Sequence, residues 1–217
     1  MESYDHVILT PYSSARIDLA TDMAIPIVAH GGLTSLTPAT VARAAGCTRQ
    51  AVHHWFGDQQ RLREAVAGRF TARWTRWAEL RVHDGGPAAL LPECDAVLTW
   101  TRVWLALVEA APRHAAIAEL VAGCHVHEGA SLQRGIEAMI RRRHDIDVTV
   151  LPAVVTGVHA MVDGLRMQLV GGADELHARF GARFGAAEAV LVQGVDTSVA
   201  QVLGGSCLTS SNCDITD

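Results

Sequence analysis

The chain has 217 residues, more than one minimal domain needs and enough for a small reading head plus a larger helical body. Hydrophobic residues make up 49% and charged ones 19%, so there is apolar surface for a core and some to spare for a subunit interface; a globular oligomer is expected. The net charge of −5 speaks against nucleic acid only as a sum, because it is unevenly distributed: residues 1–82 hold nine Arg against seven acids, the remainder nine against sixteen.

No stretch is apolar and charge-free over the roughly 18 residues that a membrane span requires. The best candidate, 150–170, contains His159, Asp163 and Arg166. The opening MESYDH lacks the basic-then-apolar pattern of a signal peptide, so a cytoplasmic protein without membrane contact is expected. Five cysteines, Cys47, Cys94, Cys124, Cys207 and Cys213, form no CxxC pair, which argues against a disulfide framework and a structural zinc site. All 18 basic residues are arginine.

In chain order, residues 1–12 have no clear period and read as an arm. Ser13 or Ser14 can cap a first helix that runs to about His30 and stops at Gly31-Gly32, with Ile17, Ala20, Ala24, Ile27 and Val28 as its apolar stripe. Pro26 falls inside it and should kink it. Thr37-Pro38 is a helix start, a hydroxyl cap followed by proline where its missing N–H costs nothing. That helix should reach Ala45; Gly46 then supplies a left-handed turn, Cys47 packs inward, and Thr48 caps a second short helix. After Gly57, Asp58 caps a long helix with Leu62, Val66, Phe70, Trp74 and Trp77 inside and Arg61, Arg63, Arg69, Arg73 and Arg76 outside. The Gly-Gly-Pro of 84–92 reads as a hinge. Further helices are expected at about 93–111, 113–122, 125–145, 152–170 and 186–203, with 171–185 partly ordered and 204–217 a disordered tail. Nothing alternates with period two, so no sheet is expected.

Two short helices around a glycine turn form the geometry that lays one helix in the major groove. The string LTPATVARAAGCTRQAVHHWFGDQQRL also resembles the TetR family, through Thr37, Val41-Ala42, Ala45-Gly46, Thr48, Val52-His53, Trp55-Phe56 and Asp58. The match covers residues 15–66. It departs from the family pattern at Gln50, where Gly is usual, at His53, where Tyr is usual, and at Gln59, where a phosphate-binding Lys is common.

The resemblance implies an all-α protein with a helix-turn-helix head over 1–57, a connecting fourth helix over 58–83, a helical ligand-binding and dimerisation domain over 84–203, and the tail. It implies that Val52 and Phe56 face the core while Arg49, Gln50, Ala51, His53, His54 and Trp55 face double-stranded DNA, with phosphate contacts from Thr37, Thr48 and Gln59. It implies a homodimer paired through the last two helices, with Val158, Met161 and Leu165 on one stripe and Leu191, Val195 and Val199 on the other. A small-molecule effector would sit among Trp100, Trp104, His125, Met139 and His159.

The run Cys124-His125-Val126-His127-Glu128 has metal-ligand residue types, yet histidines two apart point to different sides of a helix, so no metal is expected there. No catalytic signature is present and no cofactor is expected. The function implied is a ligand-released repressor on a palindromic operator; the alternative is a TetR-fold protein that has left DNA and binds or converts a small molecule.

Overall fold

A computed structural model describes residues 11–143 and 151–171 together with 186, 189, 193, 194 and 197. Of the expected arm over 1–12, residues 1–10 lie outside the described residues, as do most of the 186–203 helix and the tail; Pro11 and Tyr12 already belong to the first helix, which starts before the expected caps Ser13 and Ser14. Within them all regular structure is helical, with no strand. Seven α-helices follow in order: α1 Pro11–Gly31, α2 Pro38–Ala44, α3 Arg49–Phe56, α4 Gln59–Gly85, α5 Asp95–Ala110, α6 Ala115–Arg143 and α7 Leu151–Gly171.

The chain divides into two compact units, residues 1–73 with 102–121, and 74–101 with 122–217, so the boundaries fall inside α4, α5 and α6. In the first unit α1 packs on α2 and α2 on α3. Ala20, Ala24, Val28, Leu36, Val41, Val52, Leu62, Val66 and Phe70 are buried there. Ile25 is buried where the stripe read from the sequence had Ile27, which is only half-buried. α1 runs through Pro26, whose carbonyl pairs with His30 Nδ1 at 2.7 Å.

The second unit is built on an apolar cluster from the end of α4, the 3-10 turn Pro87–Leu90, α6 and α7, including Val82, Leu90, Leu91, Leu132, Ile136, Val154, Val158, Val162 and Leu169. Gly86, at φ 70°, ends α4 and lets the chain turn into Pro87. The two helices expected at 113–122 and 125–145 are one, α6. Gly123 sits in its interior, where glycine costs only about 1 kcal/mol against alanine, less than the flanking burial of Val121 and Cys124 returns. No helix of the described residues is long and apolar enough to cross a membrane.

Candidate nucleic-acid interface and a buried polar network

The head is fixed by short-range chemistry. Thr37 caps α2 by accepting from the Thr40 N–H at 3.2 Å, and Thr40 Oγ1 accepts in return from the Thr37 N–H at 2.9 Å, closing a reciprocal capping box. Gly46 takes φ 63°, a conformation that costs other residues about 1–2 kcal/mol. Thr48 caps α3 by accepting from the Ala51 N–H at 3.1 Å. Asp58 Oδ1 does the same for α4 from the Arg61 N–H at 2.8 Å.

These caps set the phase of α3. Val52 and Phe56 are buried against the head's core, while Arg49, Gln50, His53 and His54 are exposed and Ala51 and Trp55 half-exposed. His53 is folded back onto the Gly57 carbonyl. Gln59 directs its amide inward, donating from Nε2 to the Leu36 carbonyl at 3.0 Å, and so ties the start of α4 to the loop before α2. Cys47, expected to pack inward, is only half-buried.

Two arginines of the row on α4 pair with acids of the head. Arg69 lies 3.3 Å from both Asp18 and Asp22, and Arg73 lies 2.8 Å from Asp22. All four side chains are at least a quarter exposed, so each pair is worth about 0.2–1 kcal/mol, yet together they cancel positive charge beside the head. Arg43, Arg49 and Arg61 keep exposed positions.

In the second unit the polar residues of α6 and α7 converge. α6 supplies His125 and Glu128 at i, i+3; α7 supplies His159, Asp163 and Arg166 at i, i+4, i+7, one helix face each. Arg166 is fully buried and Glu128 is 1% exposed, with Nη1 2.7 Å from Oε1. Arg166 Nη1 also donates to Asp163 Oδ1 at 3.1 Å, its Nε donates to the Leu90 carbonyl at 3.2 Å, and its guanidinium carbon lies 5.0 Å from the centre of the Trp74 ring. Trp74 Nε1 donates to Glu128 Oε2 at 3.1 Å. Trp74 stands 5.1 Å from Trp77, which stands 6.4 Å from Trp100.

At the other end, His125 Nε2 is 3.5 Å from Asp163 Oδ2, and the His125 and His159 rings meet edge to face at 5.4 Å. The Asp163 contact raises the His125 pKa. Burial lowers that of His159, favouring the neutral imidazole. Burial alone would raise Asp163, but the hydrogen bond from His125 and the positive Arg166 outweigh it and the carboxyl is held below its ordinary value.

No protein-family model matches the sequence, and neither does any curated protein. Solved structures do match. A TetR transcription regulator from Haloarcula marismortui superposes with a TM-score of 0.67 at 16% identity, covering 85% of this chain and 98% of that one. A TetR-family regulator from Cytophaga hutchinsonii gives 0.64 at 16%, covering 85% and 97%. The chain has the TetR-family fold. A regulator from Saccharomonospora viridis in complex with choline, at TM-score 0.69 and 16% identity, covers 85% of this chain and 96% of that one.

Of the residues expected to line a ligand site, some can be placed. His125, His159 and Trp100 lie along one network in the second unit, whereas Trp104 is buried in the first and the Met139 side chain lies outside the described residues. Val158 and Leu165, expected at a subunit interface, are buried in the chain's own core, and Met161 is half-buried against it. Leu191, Val195 and Val199 lie outside the described residues. Three residues of the TetR-fold network, Glu128, Asp163 and Arg166, escaped the sequence reading as site residues. The available signal was the triplet His159, Asp163, Arg166 on one face of an otherwise apolar helix.

Proposed function

We propose that this protein is a homodimeric transcriptional repressor that holds a palindromic operator through α3 and releases it when a small-molecule effector binds the second unit. The observation that carries the reading is α3 itself. It is capped by Thr48, anchored by buried Val52 and Phe56, and presents Arg49, Gln50, His53 and His54 outward. Arginine matches the two acceptors of guanine and glutamine those of adenine. The fold shared with TetR-family regulators supports it.

Pairing is supported by the outward face of α7. Ala153, Gly157, Ala160, Gly164, Met167 and Gly171 recur at intervals of four and three and are all exposed. Nothing stands within 4 Å of a Cβ placed at Gly157, Gly164 or Gly171. A seam of this spacing built of small residues lets the same helix of a second copy approach closely, as a two-fold reader of two half-sites requires.

The regulator in complex with choline supports a small-molecule effector, for which the tryptophan row Trp74, Trp77 and Trp100 in the second unit offers apolar surface.

A gel shift with DNA from upstream of the encoding gene, at two salt concentrations, tests the reading. Specific binding that weakens with salt is expected; its absence with and without candidate effectors overturns it. A second reading, a protein of this fold that no longer binds DNA, is favoured by the pairing of Arg69 and Arg73 with acids and by the inward Gln59 amide.

A further inference from the structure

We propose that His125, His159 and Asp163 form a binding site for one divalent transition-metal ion of the zinc class. Two imidazoles and a carboxylate from facing helices are the donors that such an ion takes in helical bundles. One ligand atom from each of the three lies within 4.8 Å of the other two. Zinc bonds of about 2.0–2.1 Å in tetrahedral geometry place ligand atoms about 3.4 Å apart. The His125 Nε2 to Asp163 Oδ2 distance of 3.5 Å is already there, and the His159 nitrogen has at most about 1.4 Å to close.

The surroundings are those of a metal centre more than of a closed ion-pair network. Arg166 Nη1 holds Asp163 Oδ1 at 3.1 Å, which orients the carboxylate and leaves Oδ2 toward His125, the outer-shell support that a ligating carboxylate needs. Glu128 Oε1 is ion-paired with Arg166 Nη1 at 2.7 Å without a directed hydrogen bond among the described residues, Arg166 Nη2 likewise has none, and His159 Nε2, 3.9 Å from Oε1, is the one unpartnered buried atom among the three proposed ligand residues. With neutral imidazoles the two acids and one arginine sum to a single negative charge, which a divalent cation reverses and which Arg166 alone leaves uncompensated. The third-exposed His125 and Asp163 give the ion a way in, and the three protein ligands leave one position for water or a small molecule. Histidine at i+2, His127, is exposed and pairs with the Gly123 carbonyl of its own helix, outside the cluster.

The test uses the full-length chain stripped with a chelator and titrated with Co²⁺, then Zn²⁺ in competition, without DNA. The site therefore stands or falls independently of the repressor reading. One Co²⁺ per chain is expected, with absorption bands of a four- or five-coordinate nitrogen and oxygen site and no thiolate charge transfer. His125→Ala and His159→Ala should each weaken binding at least tenfold, Asp163→Asn likewise, while His127→Ala and Cys94→Ser bind as wild type. Because His125 is partly exposed, its alanine variant removes a ligand without opening the core, and an unchanged circular dichroism spectrum verifies that. No saturable binding by the wild type, a thiolate spectrum, or undiminished affinity in folded His125→Ala and His159→Ala overturns the proposal.

Discussion

Arg166 and Glu128 face each other across α7 and α6 with Nη1 2.7 Å from Oε1, both removed from solvent. Taking two charges out of water costs several kcal/mol each, so the pair holds its place through the bonds around it, from Trp74 to Glu128 and from Arg166 to the Leu90 carbonyl and Asp163. Removing one member strands the other. Arg166→Met should therefore cost about 3–5 kcal/mol in urea denaturation. The double variant Glu128→Gln with Arg166→Met should recover much of that loss, because no lone buried charge remains. Additive losses would show that the pair is not what sets the cost.

The head depends on local geometry and should respond to local change. Thr37→Ala removes the half of the capping box that its hydroxyl makes with the Thr40 N–H, leaves the Thr37 N–H on Thr40 Oγ1, and should destabilise by about 1 kcal/mol. Gly46→Ala forces a Cβ into φ 63° and should cost about 1–2 kcal/mol, although nothing stands within 4 Å of that atom, so the loss is backbone strain alone. Midpoints in chemical denaturation check both.

Specificity should reside on α3 and not at the start of α4. Arg49→Ala is expected to cost about 1–3 kcal/mol in operator affinity and to relax preference at one base pair. Gln59→Ala, which loses the bond to the Leu36 carbonyl, should lower head stability by about 1 kcal/mol while leaving base preference unchanged. Competition binding with single-base operator variants separates the two effects. Asp22→Asn, which frees Arg73 of its acid and leaves Arg69 with Asp18 alone, should steepen the salt dependence of DNA binding.

The outward seam of α7 gives a test of pairing that spares the core. Ala160→Arg places a long cation at the centre of that face and should yield a folded monomer by light scattering at micromolar concentration. Leu165→Ala, on the buried side, should instead lower stability by about 2–5 kcal/mol. A dimer that survives Ala160→Arg would place the interface elsewhere.

What could be read in advance follows the range of the interactions. The helix-turn-helix was legible because Thr37, Gly46, Thr48 and Asp58 act on groups three or four residues away, and those offsets are written in the sequence. The polar network was not, because it joins Trp74, His125 and His159 across three helices, and a sequence fixes the phase of a helix without fixing which helix it faces. His125 and His159 were singled out for their residue type. Asp163 and Arg166 were read as evidence against a membrane span, although the polarity that excludes lipid is also what a buried site needs. Val158 and Leu165 belong to a stripe whose periodicity is the same for a core as for an interface, and only burial assigns them to the core.

Trp74 carries a consequence beyond packing. Its indole N–H donates to a buried carboxylate while a guanidinium sits 5.0 Å from the ring centre, so two opposite charges fix the electric field along the chromophore. Indole emission shifts with that field, and any ion or molecule that repositions Glu128 or Arg166 alters it. The difference between wild-type and Trp74→Phe spectra is thus a built-in optical gauge of what happens beside α6 and α7, readable without a label.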